Sequence, residues 1–125
     1  MADYTLVINT FDDKFVDSIN WSASSGDGLS SGDPLVIQVG DRVRVQNVFT
    51  DNHASDSFWN GSATIQGWQS SYWSSTSNLV VNANTTSAYK TVQSAASGQT
   101  DSITAVDTSG ANPGNISSVF YMSVS

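Results

Sequence analysis

Short segments rich in Val, Ile, Thr and aromatic residues recur along the whole chain, at 4–9, 15–21, 35–39, 42–49, 62–66, 78–83, 88–93, 102–106 and 118–124, and Gly, Asp, Asn or Ser clusters separate them. This spacing limits the chain to short strands joined by turns, and no segment sustains a helical period. In 42–46, RVRVQ, strict alternation puts Val43 and Val45 on one face and Arg42, Arg44 and Gln46 on the other, the pattern of a strand with one side on a core and one in water. Phe120, Met122 and Val124 alternate in the same way. Composition disfavours the helical alternative. Ser occupies 23 of 125 positions, all eleven acidic residues are Asp, and there is no Glu. Ser and Asp compete with a helical backbone for its own hydrogen bonds and settle in caps and turns.

The expected fold is therefore all-β: an antiparallel two-sheet β-sandwich of 8–9 strands, with the Greek key as one candidate connectivity, forming a single domain over residues 1–125. Gly- and Ser-rich connections are expected at 23–33, 50–57, 94–100 and 107–115, the last with a turn at Pro113 and Gly114. No internal repeat indicates a propeller or solenoid. Cys is absent, so burial and strand pairing must hold the fold without disulfides or thiolate-bound metal.

Eleven Asp against Lys14, Arg42, Arg44 and Lys90 give a net charge of −7, which argues against nucleic acid as a partner. No basic amphipathic segment is present to hold an anionic membrane, and no apolar run suits membrane insertion. The first residues read as a strand and not as a signal peptide, so a cytoplasmic location is expected, or a secreted one if Met1 replaces a removed signal. The sequons at Asn20, Asn60, Asn84 and Asn115 follow from the abundance of Asn, Ser and Thr.

The stretch 33–47, DPLVIQVGDRVRVQN, followed by His53, resembles the cupredoxins, the Greek-key sandwiches that include plastocyanin and azurin, in which a strand hairpin of this kind leads to the first copper-ligand His. The resemblance implies a fold of that type. It does not imply their copper chemistry, because a blue-copper site needs a second His and a thiolate, and this chain has one His and no Cys. Met122 falls inside a strand pattern and reads as core.

Three of the four Trp residues lie in 56–73, DSFWNGSATIQGWQSSYW, among Ser, Asn, Gln and Asp. Aromatic faces beside short polar groups suit stacking on a sugar ring while bonding its hydroxyls. The candidate ligand-binding residues are Asp56, Trp59, Asn60, Trp68, Gln69, Tyr72 and Trp73. The competing reading is that these rings and Phe58 close one end of the sandwich. No catalytic residues are assigned: His53 reads as a loop residue, no Gly-x-Ser-x-Gly elbow occurs, and the Asp residues sit in turn-like settings. No cofactor is required, although calcium could use three Asp and Asn clusters: Asp12 with Asp13; Asp51, Asn52 and Asp56; and Asp107, Asn112 and Asn115. The expected function is a non-enzymatic, lectin-like module. The alternative is a self-associating structural protein that assembles into filaments or inclusions through the aromatic patch or an edge strand. Carbohydrate or a second copy of the chain is the expected partner, and both readings anticipate a homo-oligomer.

Overall fold

The computed structural model describes residues 1–53 and 58–125. Each anticipated segment holds a strand: β1 (Asp3–Asp12), β2 (Ser18–Trp21), β3 (Leu35–Ile37), β4 (Arg42–Asp51), β5 (Ala63–Gln66), β6 (Leu79–Val81), β7 (Lys90–Thr91), β8 (Thr100–Asp107) and β9 (Ser117–Val124). A single 3-10 turn, Ser94–Ala96, is the one helical element among the described residues, and no helix is long and apolar enough to cross a membrane. The strands form two sheets, ordered β2-β1-β4-β7 and β3-β9-β8-β5-β6.

The sheets are mixed, which corrects the antiparallel expectation. β1 runs parallel to β4 from Asp3 opposite Arg42 to Asp12 opposite Asp51, and β3 runs parallel to β9. Alternation specifies which face of a strand is buried and carries no information about partner direction. On the solvent face the β1–β4 register sets Asp3 beside Arg42, joined at 2.7 Å, and Thr5 under Arg44, while both guanidinium groups lie over the Tyr89 ring.

The 33–47 stretch is a corner and not a hairpin. β3 belongs to the five-stranded sheet and β4 to the four-stranded sheet, so the chain changes sheets between them. The buried Asp41 carboxylate holds that corner by accepting the N–H of Gln38 at 2.8 Å and of Ala2 at 2.7 Å.

Between the sheets lies one core, with Leu6 and Ile8 of β1, Val43 and Val45 of β4, Ile65 of β5, Ile103 of β8, and Phe120, Met122 and Val124 of β9. Burying each aliphatic side chain contributes about 1.5–3 kcal/mol. Two polar ties cross the core: Trp21 of β2 donates its indole N–H to the Ser118 carbonyl at 2.9 Å, and the buried Asn47 of β4 donates to the carbonyls of Gly61 and Val81 while accepting the Thr10 hydroxyl.

Candidate functional site

The Trp side chains of the aromatic segment are core. Trp59, Trp68 and Trp73 are 0%, 5% and 4% exposed. Stacking on a sugar needs an open ring face, so the expectation that these three rings form a surface platform is corrected, and for them the packing reading is the right one. Asn60, Gln69, Ser70 and Ser71 stay exposed while the Trp59, Trp68 and Trp73 rings turn inward. Trp68 and Trp73 meet edge to face with centroids 4.9 Å apart. Their N–H groups are bonded, Trp68 to the Ile65 carbonyl at 3.1 Å and Trp73 to Asp101 Oδ2 at 2.7 Å. Lys90 is also buried, with its Nζ 5.1 Å from the Trp68 ring and donating to the carbonyl and hydroxyl oxygens of Ser75. Burial lowers its pKa.

β5 divides the candidate residues into two groups. Trp59 and Asn60 precede it, Trp59 edge-on to Phe49 and Asn60 capping the Ser62 N–H at 3.0 Å. Trp68, Gln69, Tyr72 and Trp73 follow it at the other end of the sandwich; Gln69 is exposed and Tyr72 half-buried. Asp56 lies outside the described residues.

Around Gln69 the structure forms an open groove of about 430 Å³. Its floor is Thr100, Asp101 and Ser102 of β8 with Tyr121 and Met122 of β9, where Ser102 stands opposite Tyr121 and Asp101 opposite Met122. Ser31 and Pro34 form one wall and Gln69 the other. Asp101 is one of the lining residues. Its carboxylate accepts the Trp73 indole N–H and, at 3.3 Å, the Gln69 backbone N–H. Burial raises its pKa, and these donors with the Ser102 N–H partly offset the rise.

The Ser31 wall comes from a short tandem repeat absent from the expectations above. Ser-Ser-Gly-Asp occurs at 24–27 and again at 30–33, and each copy closes a tight turn, Ser24 bridging Asp27 and Ser30 bridging Asp33. The repeat was visible in the sequence as a turn signal, although nothing local showed that it would wall a groove. Gly28 fastens this loop to β9 by accepting the Tyr121 N–H at 2.8 Å. It has φ +102°, and a Cβ there would sit 2.2 Å from Phe120 Cζ. The Asp33 charge raises the pKa of neighbouring Asp27.

The opposite end of β5 gathers two of the three calcium candidates. β1–β4 pairing sets Asp12 against Asp51; the Asn52 N–H bonds the Asp12 carbonyl at 2.7 Å and its side-chain amide bonds Asp13 at 3.2 Å. His53 Nδ1 lies 3.7 Å from Asp12 Oδ2, and its ring is edge-on to Phe58. From the third cluster, the Asn112 N–H reaches Asp17 Oδ2 at 2.7 Å. Among the described residues, no group of three or more His, Cys, Asp or Glu is arranged to hold a metal ion. Burial, then the neighbouring Asp17, push the Asp12 pKa up to about 6, against the opposing pull of His53 and the Trp59 backbone N–H.

No family model matches this chain, and no curated protein matches its sequence.

Proposed function

We propose that this chain is a non-enzymatic, lectin-like carbohydrate-binding module whose ligand lies in the groove over β8 and β9. One observation carries the reading: the half-buried Tyr121 lines an open 430 Å³ groove together with Ser31, Gln69, Thr100, Asp101 and Ser102. That set offers one apolar face and several hydrogen-bonding groups, which is what a sugar ring and its hydroxyls require. The volume lies in the range of small-molecule sites. The aromatic segment serves the site indirectly, with Trp73 orienting Asp101 and Gln69 forming a wall. The sheet-changing corner between β3 and β4 and the parallel β3–β9 pair support a cupredoxin-like, Greek-key reading of the sandwich, without its copper chemistry.

A glycan array followed by titration of Tyr121→Ala tests the site. Losing the stacking face is expected to weaken binding about tenfold with the unfolding midpoint little changed. No saccharide bound at millimolar concentration, with or without calcium, would reject the reading.

The second reading, self-association, is favoured by a separate observation. Phe15 and Val16 in the β1–β2 turn and Phe58 after the 54–57 segment are 76%, 58% and 56% exposed. All three belong to the sandwich end that holds Asp12 and His53. This patch replaces the buried Trp residues as the surface for a homo-oligomer. Light scattering distinguishes the readings: an assembly dispersed by Phe15→Ser with Phe58→Ser supports it, and a concentration-independent monomer rejects it.

A further inference from the structure

Strand alternation and register fix what the five-stranded sheet shows to solvent. Along β8, Ile103 and Ala105 are buried in the core, so Thr100, Ser102, Thr104 and Val106 face away from it, while Asp101 and Asp107 fall on the core-side parity. The register carries that parity across the sheet. Ser102 stands opposite Tyr121, Thr104 between Val119 and Gln66, and Val106 between Ser117 and Thr64. At the two edges the outward residues are Val36 of β3 and Val80 of β6, 56% and 59% exposed. Among the described residues of these strands, none that faces outward is Asp, Lys, Arg or His. The other sheet differs, because its solvent face carries Asp3, Arg42 and Arg44. A chain with a net charge of −7 therefore keeps the outward strand positions of one sheet free of ionised side chains.

We propose that the ligand is an uncharged polysaccharide chain several sugars long, which occupies the groove at Ser102 and Tyr121 and continues along β8 and β9 over Thr104, Val119 and Val106. The inference rests on the carbohydrate reading and adds to it the ligand's charge, length and direction. Continuity carries the length. Groove and face share the Ser102–Tyr121 pair, and the four residues from Ser102 to Val106 extend about 13 Å along the strand with no charged outward residue in the way. Composition carries the chemistry, since hydroxyl and amide groups at Thr104, Thr64 and Gln66 can bond sugar hydroxyls, and the Val and Tyr surfaces can meet C–H faces. Thr104 and Val106 are β-branched and stiff, so they lose little rotamer freedom when a chain covers them. Charge carries the class. The eleven Asp elsewhere on the chain repel an approaching polyuronate or sulfated glycan, and no cation on this face compensates.

Calorimetric titration of the full chain tests this with uncharged homopolymers of glucose, mannose, galactose and xylose, each from the single sugar to the hexasaccharide, beside galacturonate and sulfated chains of the same lengths. In the neutral series that binds, affinity is expected to rise at least about tenfold from the single sugar to the hexasaccharide, with no binding of the anionic chains. Thr104→Lys, outside the groove, is expected to cut that rise below about threefold. Gln46→Lys, exposed on β4 of the opposite sheet, is expected to keep the wild-type rise. Equal affinity for single sugar and hexasaccharide, or galacturonate chains bound as tightly as neutral ones, would overturn the proposal and leave the groove reading standing. Binding in none of the series rejects the carbohydrate reading itself, and this inference with it. A homodimer in light scattering that Thr104→Lys disperses would also overturn it, because a second copy would then occupy the face. Should Thr104→Lys fail to fold, the length series on wild type decides alone.

Discussion

Replacing Trp73 by Phe removes one hydrogen bond from the partly buried Asp101 carboxylate while keeping an aromatic ring in the core. The indole N–H reaches Asp101 Oδ2 at 2.7 Å, and the ring lies edge-on to Trp68 at 4.9 Å, a contact that Phe can largely retain. A hydrogen bond to a charged group contributes about 1.5–3 kcal/mol, and the half-exposed position of Asp101 places this one near the lower end through solvent screening. The void left by the missing part of the indole adds about 1 kcal/mol. The sum, about 2.5 kcal/mol, is a large share of the roughly 5–15 kcal/mol that holds a domain folded. Urea unfolding followed by circular dichroism measures it: with a slope of about 1–3 kcal/mol per molar for a small protein, the midpoint falls by about 1–2.5 M. The loss also depends on pH in a defined direction. Burial already raises the Asp101 pKa and the indole opposes that rise, so removing the indole raises it further. The difference between variant and wild type is therefore largest near neutrality and shrinks as acid protonates Asp101 in both. A loss below about 1 kcal/mol, or one equal in acid and at neutrality, would refute the assignment of Trp73 as the support of Asp101.

Two further substitutions test the frame around the groove. Asn47→Ala leaves the Gly61 and Val81 carbonyls and the Thr10 hydroxyl without their buried partner and should cost about 3–5 kcal/mol in calorimetric unfolding; a cost under about 1 kcal/mol would show that water replaces the amide. Gly28→Ala forces a Cβ into the Phe120 ring at a backbone angle of +102°. It should cost more than about 2 kcal/mol in denaturant unfolding, and unchanged stability would mean that the loop does not hold this position on β9.

The strands were legible because their evidence is local. Val43 and Val45, or Phe120, Met122 and Val124, declare a buried face by alternation alone, and all five are buried in the structure. The 15–21 segment was overestimated because Phe15 has the residue type of a strand, yet the turn leaves it in solvent and β2 begins at Ser18. Of the candidate site, Gln69 reaches the groove directly and Trp73 through Asp101, while Trp59 and Asn60 fall on the far side of β5. Tyr121 and Asp101 were absent from the candidates because each sits singly in an ordinary strand pattern, with no neighbouring residues to mark it.

The sequence by itself determined an all-β chain of short strands, its buried rows and a strongly acidic surface, because side-chain alternation, backbone competition by Ser and Asp, and summed charge act within a few residues or over the whole composition. Tertiary structure alone decided that β1 pairs in parallel with β4, that β3 and β4 part to opposite sheets, that three Trp rings turn inward, and that the Asp12 carboxyl is buried. Each of these depends on which distant segment lies alongside, and on whether its groups can satisfy a ring, an N–H or a carboxylate once water has been excluded.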